Sequence, residues 1–250
     1  KKNNIMAILN NTALGDDAKW VRIEPIIDEI LLAGREYTLP RERELIRMTL
    51  TEVAVSPSTS PYITIKMVDK LMALVEGELK RPVFEDIEQE PLAPGEARDL
   101  GYASMLVKTA GSIIGLSRLD YTAEISRMKA WLVLSVNEGN SITEEHLIDA
   151  RKSSFSSDPN RVLRLTNKRD YVWLTTGLIE ALGESGTNIY ADRDDIVNAI
   201  SPYLGKWDKY VDSSVFKALM RIGMHQGTSS ATSQHIIKNI LTPYIEDVSR

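Results

Sequence analysis

Few residues in this chain have the chemistry to hold a metal or attack a substrate. His146, His225 and His235 are the only histidines, and no two of them stand three or four residues apart. The spacing that sets two imidazoles on one ion is therefore missing, and so are a Glu-x-x-His pair and a calcium loop. With no cysteine in 250 residues, disulfides, thiolate zinc sites, iron–sulfur clusters and cysteine nucleophiles drop out together. Ser229 and Ser230 follow His225 closely. A nucleophilic serine, however, needs a base and an orienting acid gathered in space, and no Gly-x-Ser-x-Gly elbow is present. Thr228–Ser233 reads instead as a polar loop ending at Ser233, the N-cap of the last helix.

Phosphate chemistry has one candidate. Gly183-Glu184-Ser185-Gly186-Thr187-Asn188 has the small residues of a phosphate cradle, but it follows a helix and not a strand, and Glu184 would repel an anion. A helix end running into a turn accounts for it, with Gly183 as the stop. These residues point away from an enzyme and imply no metal and no cofactor.

Binding has a better candidate. Between Arg151 and Asp170 stand six bases (Arg151, Lys152, Arg161, Arg164, Lys168 and Arg169) against two acids. Tyr171 and Trp173 follow within a turn. Guanidinium forks hold phosphates and aromatic faces stack on bases, so this composition suits a nucleic-acid groove. It equally suits a contact with an acidic protein surface, and 85–96 is such a surface, with five acids and no base. The overall charge of −5 excludes a protein that grips phosphate with its whole surface.

The elements that must position these residues are helical. Trp20, Ile23, Ile26, Ile27, Ile30 and Leu31 recur at three- and four-residue spacing, with Pro25 expected in the first turn or at a bend and Gly34 as the stop. Thr38 and Pro40 open a second helix. Ser56–Pro61 is a turn, and Met67 to Val75 continues a third helix. Residues 81–95 hold three prolines among acids and read as a linker or surface loop between a lobe at 1–80 and a lobe at 96–250. In the second lobe Gly111 and Gly115, with Ala103 and Ala110, let a neighbouring helix come close. Lys108 in their midst argues against a membrane dimer motif. Thr122 to Asn137 is the next helix, and Ser141-Ile142-Thr143-Glu144 has the form of a capping box. The expectation is an all-α fold of about ten helices in two lobes.

One phrase is written twice. Ile196–Leu204 recurs 41 positions on as Ile237–Ile245, each copy ending Ser/Thr-Pro-Tyr. Two kinked helices in equivalent packing roles are expected, each tyrosine reaching a polar partner from an apolar wall. No apolar run approaches the roughly 20 residues that cross a bilayer, and with no cysteine this suggests an intracellular, cytoplasmic setting. The function expected is a non-enzymatic helical scaffold or self-assembling interaction protein. A nucleoprotein-like use of 151–173 is the alternative.

Overall fold

The computed structural model describes residues 1–36, 39–81, 98–141, 168–207 and 209–248. Among them the regular structure is entirely helical, as the periodicity predicts. In chain order the helices are α1 (Lys2–Leu9), α2 (Asp16–Glu36), α3 (Pro40–Ala54), α4 (Pro61–Lys80), α5 (Leu100–Leu116), α6 (Thr122–Ser141) and α7 (Lys168–Ser185). α8 (Arg193–Ile200), α9 (Lys209–Met224), α10 (Ser230–Gln234) and α11 (Thr242–Val248) follow. The capping box beyond Ser141 and the linker from residue 82 fall outside the described residues, as do Arg151, Lys152, Arg161 and Arg164.

The architecture is organised on α5. Every residue of this helix is buried except Gly101, Lys108, Gly115 and Leu116. A helix apolar all round belongs in a core or a membrane. Here α3 and α4 cover one side of it and α7 covers another, while α6 and α9 pack on α7. No described helix is long and apolar enough to cross a membrane. The buried side chains form one cluster running from Ile5 to Leu241.

α5 and α7 meet more extensively than any other pair of helices, and glycine is the reason. A Cβ on Gly111 would lie 2.6 Å from the Ala181 backbone, and one on Gly115 would lie 2.2 Å from the Glu184 carbonyl oxygen. From the other side, Gly177 faces Ser104, whose Oγ donates to the Trp173 carbonyl at 3.0 Å. The close approach expected at Gly111 and Gly115 is thus found within the chain.

Several ends differ from the sequence expectation. Pro25 lies not in the first turn but in the interior of α2, which begins at Asp16. The carbonyl it leaves unbonded belongs to Val21, an exposed residue, where water can take the place of the missing N–H. Gly34 does not stop α2; it is buried against Ile46 and Met105, so its lack of a side chain serves packing. α7 likewise runs past Gly183, which sits against Ala218, to Ser185.

The Gly183–Asn188 turn is a plug for α5. The Asn188 side chain is buried, and its Nδ2 donates to the carbonyls of Ile114 (2.7 Å), Ser117 (3.0 Å) and Leu119 (3.1 Å). Thr187 Oγ1 donates to the Gly115 carbonyl at 3.1 Å. Carbonyls at a helix end need such partners when buried. The small residues that resemble a phosphate cradle are accounted for in this way.

The doubled phrase also folds in two ways. In the first copy α8 ends at Ile200 and a 3-10 turn, Ser201–Tyr203, leads to Gly205 at φ +74. In the second copy the helix continues through a π turn, His235–Leu241, into α11. There Thr242 N–H donates to the Ile237 carbonyl five residues back, and its Oγ1 donates to the same oxygen at 2.8 Å. A proline ring in a helix collides with the carbonyl four residues earlier, and a wider turn relieves that collision. The packing positions therefore slip by one. Ile196 and Ile200 are buried in the first copy, whereas Ile236 and Leu241 are buried in the second and Ile237 is exposed. The last helix also starts earlier than expected: Ser229, not Ser233, accepts the capping bond, from Thr232 N–H at 3.0 Å. Ser233 is inside the helical stretch and donates to the Gly223 carbonyl.

Candidate binding surface

The C-terminal end of α6 and the first turns of α7 and α9 come together. Arg98, immediately before α5, ties this region together. Its Nη1 donates to Glu138 at 2.8 Å and approaches the Tyr171 hydroxyl at 3.3 Å, while Nε donates to the Arg81 carbonyl and Nη2 to that of Leu79. The Arg98 side chain is 8% exposed, so these bonds form largely out of water. One residue on, Asp99 pairs with Arg43 at 2.7 Å and its N–H donates to the buried Glu78. Burial pushes the Glu78 carboxyl above the usual glutamate range, against the pull of the Asp99 N–H, Arg35 and Arg81.

This geometry divides the two aromatic residues expected to act together. Tyr171 is buried, and its hydroxyl is pushed up to about 12, first by burial and then by its hydrogen bond to Glu138. It is part of the core, not of a binding face. Trp173 is two residues on, about 200° around the helix, and points the other way. It is 46% exposed, and it stacks with Tyr210 of α9, 59% exposed, at 6.4 Å between ring centroids with the planes inclined by 22°. Lys209 Nζ lies 5.3 Å from the centre of the Tyr210 ring.

The pair stands on firm supports. The Trp173 carbonyl is held by Ser104 of the central helix. Trp207 packs into the notch left by Gly139, where a Cβ would lie 2.7 Å from its ring, and its Nε1 donates to Asn140 at 2.6 Å. Gly205 N–H donates to Asp212 at 2.7 Å, and the Tyr244 hydroxyl reaches the other Asp212 oxygen at 3.3 Å. The second copy of the repeat thereby packs on the turn that ends the first. Tyr244 finds the polar partner expected of it.

Of the sequence candidates, Lys168 and Arg169 occupy the first turn of α7. The signal for Tyr210 was present in Lys206-Trp207-Asp208-Lys209-Tyr210, which interleaves bases and aromatics.

A concavity of about 240 Å³ is lined by residues of α3, α5, α7 and α9. Its carboxylates already have cations: Glu44 with Arg47, Glu180 with Lys108 at 2.6 Å, and Glu184 with Arg221. The hydrogen bond from Arg47 holds the Glu44 carboxyl below its ordinary range. That pairing is favourable at neutral pH and is lost as pH falls through the lowered value. The Glu180–Lys108 and Glu184–Arg221 pairs link α5, α7 and α9, and Arg47 Nη1 joins α3 to them by donating to Ser112 Oγ at 2.8 Å.

His225 and the serines that follow it have structural partners. His225 Nδ1 accepts from Gly227 N–H at 3.1 Å and meets Arg193 at 3.3 Å, while Ser229 is occupied as a cap. Among the described residues no group of three His, Asp or Glu side chains could hold a metal ion. No family model, curated protein or solved structure matches this chain.

Proposed function

We propose that the protein works by binding, as a helical scaffold or self-assembling subunit, with the Trp173–Tyr210 pair as its contact surface. The observation that carries this reading is the exposure of two large aromatic side chains stacked on each other in solvent. Rings of this size bury much apolar area at small conformational cost, which is why Trp and Tyr dominate the energetics of protein interfaces. Light scattering coupled to size exclusion, over a range of concentrations, tests it. A buried aromatic anchor contributes about 2 kcal/mol, so the double variant Trp173→Ala/Tyr210→Ala is expected to raise the concentration of half-assembly about thirtyfold. A chain that is monomeric at every concentration overturns the self-assembly reading.

A second reading is favoured by the Lys209 ammonium at these rings and by the bases in the sequence that leads into α7. Lys209 lies over Tyr210, and Lys168 and Arg169 open the helix that carries Trp173. Together with Arg161 and Arg164, they make a basic stretch suited to the phosphates of single-stranded nucleic acid. Reversal of Arg161, Arg164, Lys168 and Arg169 to glutamate is expected to weaken binding of single-stranded RNA or DNA at least tenfold and to flatten its salt dependence. Unchanged binding removes this reading.

A further inference from the structure

Resting on the nucleic-acid reading, we propose that Trp173 and Tyr210 form a stacking platform for an unpaired base of single-stranded nucleic acid. Lys209, whose Nζ lies 5.3 Å from the centre of the Tyr210 ring, is placed beside it for the phosphates. The two ring planes are inclined by 22°, and about half of each side chain is exposed to solvent. A flat aromatic surface recognises another flat π surface, and within a nucleic acid an unpaired base has such a face to offer, whereas in a duplex both faces are covered by neighbouring pairs. An ammonium group beside such a ring adds attraction for the anionic backbone that every nucleotide brings.

The charge around the pair favours this occupant. Lys206 and Lys209 are both exposed and flank the turn into α9. Of the carboxylates near the pair, Asp212 has its two oxygens engaged by Gly205 N–H and the Tyr244 hydroxyl, and Asp170, in the first turn of α7, has a partner of its own. The platform is also built before any ligand arrives: Trp173 is on the helix that packs most closely on α5, and Ser104 holds its carbonyl. A surface fixed in advance loses little entropy on binding.

The test measures fluorescence anisotropy of a labelled oligothymidylate and of an abasic oligomer of equal length, at one low salt concentration. Wild-type protein, Trp173→Ala, Trp173→Phe and the fourfold charge reversal are compared. We expect Trp173→Ala to weaken the base-bearing oligomer about tenfold and Trp173→Phe to retain most of the affinity. The abasic oligomer should bind weakly and be indifferent to Trp173. If charge reversal abolishes binding while Trp173→Ala changes neither oligomer, nucleic acid is bound but the platform is not used, and the inference falls. If neither oligomer binds any form, the underlying reading fails and takes the platform with it. If Trp173→Ala dissociates a self-assembly and leaves oligomer affinity intact, the pair is a protein contact and the inference is overturned. Since Trp173 is exposed, a circular-dichroism melt close to that of wild type confirms that the variant is folded.

Discussion

Gly115→Ala is expected to destabilise the protein by about 3 kcal/mol, the upper end of the cost of overpacking a core. The added methyl group would lie 2.2 Å from the carbonyl oxygen of Glu184 and 2.8 Å from Thr187 Oγ1. The first neighbour is backbone and cannot rotate away, so α7 itself must shift. That shift pulls at Thr187 and Asn188, which satisfy the terminal carbonyls of α5. Gly111→Ala meets the Ala181 backbone at 2.6 Å and acts in the same direction. Gly77→Ala is the contrast, since nothing lies within 4 Å of the new atom on the exposed side of α4. There the change is expected to stabilise by about 0.8–1.0 kcal/mol, the helix-propensity difference between the two residues. Urea denaturation of the three variants provides the measurement. Equal effects at positions 77 and 115 would contradict the close approach of α5 and α7.

Arg98→Met is expected to cost on the order of 2–3 kcal/mol, because two carbonyls at the end of α4 lose a charged donor and Glu138, 32% exposed, loses its cation. Methionine keeps much of the apolar stem but removes the donors that reach Glu138, Leu79 and Arg81. Arg98→Lys restores the charge without the planar fork and should recover only part of the loss. Thermal unfolding of both variants checks this. A loss below about 1 kcal/mol in Arg98→Met would mean that water replaces the guanidinium and that this region is wetter than the geometry implies.

Helical class was legible in the sequence because it needs only periodicity, and three- and four-residue spacing is strong from Trp20 to Leu31 and in Met67 to Val75. The glycines at 111 and 115 were legible for a related reason: four residues apart on one helix, they define a face without reference to the partner. Gly34 and Gly183 were read as stops because a sequence shows that a side chain is missing, not what fills the space. In both cases another helix does. Ser233 was read as a cap by type and place, while Ser229 holds the capping geometry. The separation of Tyr171 from Trp173 follows from helical geometry once the helix spans both residues. Their composition as a cluster had concealed it. Tyr210 lies 37 positions from Trp173, and no local pattern joins them.

The π turn in the last helix has a consequence for how this chain can change its length. The buried residues Ile236 and Leu241 are five apart, whereas their counterparts in the first copy are four apart. Loss of one residue between them would leave an α-helical register with both anchors still facing the core. This turn is therefore a place where the polypeptide can carry a one-residue insertion or shed it without rotating the helices on either side.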